Sequence, residues 1–349
     1  MSYLAVSLHT LAHATAAASA APHSHLTYAE SILVGLVQGV TELFPVSSLG
    51  HNVLIPALIG GTWSQDLNVA KPESPYLAFI VGLHVATAIG ITVYFWRDWV
   101  RIIGGFFSSL RHGEVRTPDQ TLAWMIIVAT IPVGLTGLVF EHTFRVLFAV
   151  PSRAAIFLAV NGVILFLGER FRTRKSRQAD EQVMQDREPA LVGAARVGGA
   201  HSSGQRAVRT HQIAAAIQAD RRITTIGFWE TLLIGSAQIL ALLAGISRDG
   251  VAMVAGMARG LSREDAARFA FLLATPVILA AGMLKVGDLF GPLGAGIRPQ
   301  ILVGSVIAGV AAYLSVRFLM KYFQTRTLTP FAIYCFIFGV ASLVYLTIK

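Results

Sequence analysis

The stretch that decides the fold runs from Gln38 to His51 and reads Q-G-V-T-E-L-F-P-V-S-S-L-G-H. It lies inside an apolar segment that begins near Tyr28. Fourteen residues hold one carboxylate (Glu42), one amide (Gln38), two adjacent hydroxyls (Ser47 and Ser48) and one imidazole (His51). Gln38 and Glu42 are four apart and share a helix face. Pro45 has no N–H and restricts its predecessor, so a helix ends there, and Gly50 allows a tight backbone. The predicted shape is a short helix, a break and an inward-facing polar turn. Ionisable groups and irregular backbone survive at membrane depth only around a protein-enclosed or watery site.

The whole chain supports the membrane setting. It has 349 residues, 54% hydrophobic and 13% charged, with a mean hydropathy of +0.62. A soluble chain would carry about a quarter charged residues. Several segments exceed the roughly 18 apolar residues that read as a membrane span. Six spans are expected, at about Tyr76–Phe95, Thr121–Phe140, Ala154–Gly168, Phe269–Val286, Ile301–Leu319 and Thr329–Leu346. The net charge of +9 is assigned to loops beside anionic lipid and not to nucleic acid. The single cysteine, Cys335, permits no internal disulfide and no cysteine metal site.

A second broken segment, about Ile226 to Gly260, holds A-Q-I-L-A-L-L-A-G-I-S-R-D-G from Ala237 to Gly250. Gly35 and Gln38 align with Gly235 and Gln238, and a serine follows each glutamine by nine residues, Ser47 and Ser247. Ala86-Thr87 and Ala274-Thr275 echo each other in the spans that follow. Basic loops after Trp96, after the third span and around Lys321 and Arg326 set one side as inside. The two halves then enter from opposite sides. The expected fold is all-α and polytopic, with about six transmembrane helices and two re-entrant helix-loop-helix segments in an inverted-topology repeat. Residues 1–26 read as a poorly ordered tail without the basic n-region of a leader. Residues 27–169 form the first repeat, 170–225 a basic inside linker or poorly ordered loop, and 226–349 the second repeat.

The second motif adds Ser247, Arg248, Asp249 and Gly250. Arg248 is a fixed, always-charged donor fork suited to phosphate oxygens, and near the membrane it needs an anionic partner. Asp249, Glu42 or a bound phosphate can each serve. A carboxylate, hydroxyls, an imidazole and this guanidinium suit diphosphate hydrolysis with a hard divalent cation, Mg²⁺ or Ca²⁺, on Glu42 and Asp249. Ser47, Ser48 and His51 are left as nucleophile or activator of water. His84, in the first full span, has two readings, a proton relay facing the site or, favoured, a histidine hydrogen-bonded between helices.

These residues carry a family resemblance. G-V-T-E-L-F-P-V-S-S-L-G-H resembles the first signature of the bacterial undecaprenyl-pyrophosphate phosphatases, usually E-G-x-T-E-F-x-P-V-S-S-T-G-H. A-G-I-S-R-D-G-V-A, Ala244 to Ala252, resembles the second, usually P-G-x-S-R-S-G-A-T. Ile131–Phe140, Gly260–Leu279 and P-F-A-I-Y, Pro330–Tyr334, are similar too. The resemblance implies an integral phosphatase of the bacterial plasma membrane, multi-pass, with its site toward the outer face. It would convert undecaprenyl diphosphate to the monophosphate and recycle the carrier lipid of cell-wall synthesis. A polyprenyl diphosphate and membrane lipids are then the partners, and Gly-rich spans allow a homodimer. Glu42 would be the essential acid, His51 the nucleophile or general acid/base, Ser47 and Ser48 lining groups, and Arg248 the phosphate clamp. Gln38, Ser247 and Gly250 would join Arg248 in holding substrate. Gln38 stands where the family has Glu and Asp249 where it has Ser, so a carboxylate lost on one side is gained on the other. A non-hydrolytic transporter or flippase of the same fold is the alternative.

Overall fold

The protein is seen as a computed structural model that describes residues 26–67, 75–148, 150–196, 215–291 and 296–349. The expected N-terminal tail, apart from Leu26, lies outside the described residues. Every regular element among them is helical. In chain order they are α1 (Tyr28–Thr41), α2 (Ser48–Ile59), α3 (Gly61–Asp66), α4 (Pro75–Tyr94), α5 (Trp96–His112), α6 (Pro118–Phe148), α7 (Pro151–Arg170) and α8 (Arg174–Arg196). There follow α9 (Ala215–Ile223), α10 (Phe228–Ala237), a 3₁₀ turn (Gln238–Leu242), α11 (Arg248–Ala258), α12 (Arg263–Phe290), α13 (Arg298–Tyr322) and α14 (Thr329–Ile348).

Five helices, α6, α7, α12, α13 and α14, are long and apolar enough to cross a bilayer. Two bent pairs also qualify, α4–α5 with a bend of 86° and α9 with α10 and its 3₁₀ turn with a bend of 94°. All six expected spans fall within helices, five of them long apolar ones and the sixth in α4 of a bent pair, and the chain has a polytopic all-α membrane fold. The two motif segments are broken as their prolines and glycines dictate. α1 starts on a capping box in which Thr27 and Glu30 satisfy each other's backbone N–H groups. It ends before Pro45, and α2 restarts at Ser48. In the second segment α10 gives way to the 3₁₀ turn and α11 restarts at Arg248.

The stretch after Trp96 departs from the expected loop. It is a helix, α5, whose Trp96, Val100, Ile103, Phe107 and Leu110 are all exposed. Steps of four, three, four and three place them on one helical stripe, with Arg97 and Arg101 off that face. Such a helix lies along a membrane interface with its apolar side in lipid. The basic linker also departs from expectation, because α8 and α9 are regular helices. Asp220 of α9 is fully buried and pairs with Arg101 of α5 at 2.7 Å and Arg268 of α12 at 2.9 Å. Asp98 and Asp119 complete the network on Arg101. The linker's end is thus held to the bundle by buried charge pairing that no apolar period announces.

Helix pairing repeats between the halves. α1 packs on α13 as α10 packs on α6, α4 on α13 as α12 on α6, and α2 on α14 as α11 on α7. α4 meets α12, and α7 meets α14. The α7–α14 crossing shows this at atomic scale. A Cβ on Gly162 would meet the Ala332 carbonyl oxygen at 2.6 Å and Phe336 N at 2.7 Å, and one on Gly339 would meet the Ala155 carbonyl oxygen at 2.7 Å and Ala159 N at 2.6 Å. Residues 162 and 339, 336 and 159, and 332 and 155 are equivalent under one shift of 177, so the two contacts are copies of each other.

Candidate functional site

The turn between α1 and α2 and the turn before α11 are built alike and touch. Ser47 Oγ accepts from Gly50 N at 3.2 Å, and Ser247 Oγ accepts from Gly250 N at 3.1 Å. Each serine is therefore the N-cap of its helix. A Cβ on Gly50 would lie 2.9 Å from Gly245 Cα, and one on Gly250 would lie 3.3 Å from Pro45 Cβ. Only glycine permits the first approach. Ser47 also accepts from Gly245 N at 3.2 Å, across the two motifs. Its φ of 69° is the one positive value of a non-glycine among the described residues. That conformation is costly for an L-residue and is held here by the two hydrogen bonds.

Asn161 of α7, fully buried, locks the junction from behind. Its Nδ2 donates to Pro45 O at 3.0 Å and its Oδ1 accepts from Ser247 N at 3.0 Å. One amide thereby satisfies a backbone group of each motif. Asn161 is not among the residues that the two motifs single out. The signal was there, since an amide inside an apolar span needs partners.

Glu42 sits at the centre, 6% exposed. Its Oε1 is 2.5 Å from Arg248 Nη2. Its Oε2 accepts from Ser48 Oγ at 2.5 Å and Gln38 Nε2 at 2.8 Å. His84 Nε2 approaches the same oxygen at 3.4 Å, and His84 Nδ1 donates to Ile80 O at 2.9 Å. Gln38 in turn accepts from Asn52 Nδ2 at 2.6 Å. A charge taken from water needs such pairing to be tolerated. His84 therefore belongs to the site, and Asn52 supports it one residue further out.

Asp249 is 1% exposed, and neither carboxylate oxygen has a hydrogen-bond partner. Arg248 Nε, also without a hydrogen bond, lies 3.8 Å away. Among the described residues no three His, Cys, Asp or Glu side chains cluster as a ready metal site. The open carboxylate of Asp249 beside Glu42 nevertheless fits a cation held mainly by substrate phosphates, the mode in which Mg²⁺ takes one or two protein carboxylates.

His51 is placed differently. It is 2% exposed and stacked against Tyr334 and Phe338 at centroid distances of 5.7 and 5.3 Å. Its Nδ1 donates to Ser47 O at 2.7 Å and its Nε2 lies 2.7 Å from the Tyr334 hydroxyl. Both ring nitrogens are engaged, and neither contact is with Glu42, Ser48 or Arg248. The structure thus joins Gln38, Glu42, Ser48 and Arg248 directly and places Asp249 beside them. Ser47, Ser247 and Gly250 hold the turns, and His51 braces one of them.

Comparison with known proteins places this arrangement in a context. A family described as bacitracin resistance protein BacA matches residues 31–202 and 201–341. A protein of Mycolicibacterium paratuberculosis named undecaprenyl-diphosphatase is 57% identical over 326 residues, covering 93% of this chain and 99% of that one. One of Frankia alni named undecaprenyl-diphosphatase 2 is 53% identical over 330 residues, covering 90% and 96%. One of Burkholderia lata with the same name is 39% identical over 316 residues, covering 89% and 94%.

Proposed function

This chain belongs to the bacitracin resistance protein BacA family, and on that premise we propose that it is an integral membrane undecaprenyl-diphosphatase. It hydrolyses undecaprenyl diphosphate to undecaprenyl phosphate and phosphate, returning the carrier lipid to cell-wall synthesis. The observation that carries the chemistry is the contact of Glu42 with Arg248 across the two motifs. It brings a buried carboxylate, a hydroxyl and a phosphate-binding fork into direct contact. The relatives' names favour hydrolysis over the flippase alternative.

The residues divide the work as follows. Arg248 turns from Glu42 to the terminal phosphate, where its planar fork pairs two oxygens. Ser48 has the geometry of a nucleophile, since its hydroxyl already donates to Glu42 and Glu42 is oriented by Gln38. Ser48 Oγ attacks the terminal phosphorus while its proton passes to Glu42. The bond from phosphorus to the bridging oxygen breaks, and the electron pair leaves with the lipid monophosphate. Glu42 hands that proton to the departing lipid monophosphate and is a carboxylate again. Water then attacks the phosphoserine with Glu42 as base, the P–Oγ bond breaks, the proton returns to Ser48 Oγ, and inorganic phosphate departs. Arg248 balances charge that develops in both steps, the term that dominates such reactions. Asp249 and Glu42 are the residues that would hold a divalent cation, Mg²⁺ or Ca²⁺, whose contribution would be to neutralise phosphate charge. The setting is the bacterial plasma membrane, with the site toward its outer face.

Phosphate release by the purified chain from undecaprenyl diphosphate, with and without chelator, tests the activity. Acid quench of a turnover with substrate labelled in the terminal phosphate tests the nucleophile. Label on the protein that vanishes in Ser48→Ala supports the assignment, and absence of any protein-bound label in an active sample rules it out.

A further inference from the structure

We propose that the open pocket at the Arg170 end of the bundle binds the phosphate of an anionic phospholipid. The cavity, about 470 Å³, is walled by the end of α7, the start of α8 and the first residues of α12 and α14. Its acids are mostly engaged by the protein itself. Glu169 pairs with Arg263 at 2.5 Å and accepts Leu328 N at 3.2 Å, beside the start of α14. Asp180 pairs with Arg263 at 2.6 Å and Arg172 at 2.8 Å and accepts Arg263 N at 2.9 Å, at the start of α12. These contacts fix the wall and use up the negative charge of both groups.

What remains faces the cavity. Arg170 and Arg177 are exposed, and neither has an ion pair among the described residues. Arg172 Nε is buried and has no hydrogen-bond partner. Glu181 is the one further acid on the lining, so guanidinium groups outnumber carboxylates four to three. Two free forks on one rim match the oxygens of a phosphate. The other wall is apolar. Phe166, one turn before Arg170, also lines the cavity and is 51% exposed, with Val163 and Leu167 exposed beside it. One turn of helix is about 5 Å. The boundary between hydrocarbon and headgroup therefore crosses the pocket mouth, which fits a phosphate carried on a lipid better than free phosphate. Basic residues at this depth attract anionic lipid.

Native mass spectrometry of the full chain, incubated with mixed phosphatidylglycerol and phosphatidylcholine, reads the preference directly. Wild type is expected to retain phosphatidylglycerol on the order of tenfold better, as two arginines at the membrane surface would give. Arg170→Ala with Arg177→Ala removes the preference, whereas Arg174→Ala, outside the lining, keeps it. If the alanine pair unfolds, Arg170→Gln with Arg177→Gln keeps the stems and is expected to behave the same way. An unchanged preference in either double variant overturns the proposal. So does full displacement of the lipid by excess inorganic phosphate, which would make free phosphate the ligand.

Discussion

Glu42 accepts Arg248 on one oxygen and Ser48 and Gln38 on the other, with His84 close by. Removing its charge while keeping its shape isolates the proton-accepting role. Glu42→Gln is expected to lower kcat about 10³-fold, the scale of a lost general base, with the melting temperature of the protein largely kept. Arg248→Lys keeps the charge and loses the fork, and is expected to cost on the order of 10²-fold in kcat. Asp249 and Gln38 form a second test. Asp249 is the buried carboxylate without a hydrogen bond, and Gln38 touches Glu42. Asp249→Ser alone is expected to abolish phosphate release, and adding Gln38→Glu to restore it, because the carboxylate returns on the other motif, next to Glu42. A fully active Asp249→Ser ends that reading. At this scale the sequence was legible in residue type. Glu42, Ser48 and Arg248 announce themselves as costly groups in apolar surroundings. It was illegible in partner choice. His51 looks as reactive as Ser48 on paper, and only packing against Tyr334 and Phe338 shows that its ring is enclosed. His84 reads as a bridging histidine, and only the path of α4 brings it to Glu42.

Between elements, the two motif turns rely on small clearances and on one amide. Gly50→Ala would drive a methyl into the backbone of Gly245. Overpacking of this kind costs about 1–3 kcal/mol. It is expected to lower thermal stability in detergent and to cut activity further by moving Ser48 from Glu42. Asn161→Leu leaves Ser247 N buried without its partner and Pro45 O with only the weak Cys335 thiol at 3.8 Å, a cost of about 1–3 kcal/mol for the orphaned amide. A melting temperature within error of wild type would remove Asn161 from its bridging role. The broken segments were legible because Pro45 and the glycines end helices for local reasons. The interfacial helix α5 is hard to read from sequence, because its apolar residues recur every three or four positions among arginines and never form a run. Its stripe at Trp96, Val100, Ile103, Phe107 and Leu110 is visible once a helical period is tried against that stretch.

Across the whole molecule, two halves with matching helix pairs enclose one site, and each half supplies part of it. We read the halves as an inverted-topology pair, the arrangement that brings two discontinuous helices together near the membrane midplane. The copied Gly162 and Gly339 contacts are its structural counterpart to Gln38–Ser47 and Gln238–Ser247 in sequence. The charge network around Asp220 ties the end of the basic segment to both α5 and α12. Asp220→Ala leaves Arg268 buried without its closest partner and is expected to cost about 3 kcal/mol, read as a lower unfolding midpoint in detergent. The positions of the long apolar spans could be read from hydropathy. The burial of Asp220 could not, since it depends on two arginines 119 and 48 residues away in sequence. The central claim is that Glu42 from one half and Arg248 from the other act as a unit. A double-mutant cycle on phosphate release from undecaprenyl diphosphate, with Glu42→Gln, Arg248→Gln and the pair, tests it most directly. Strongly non-additive losses, the pair hardly worse than either single variant, are the predicted result. Losses that multiply, or a single variant with near wild-type turnover, would contradict it.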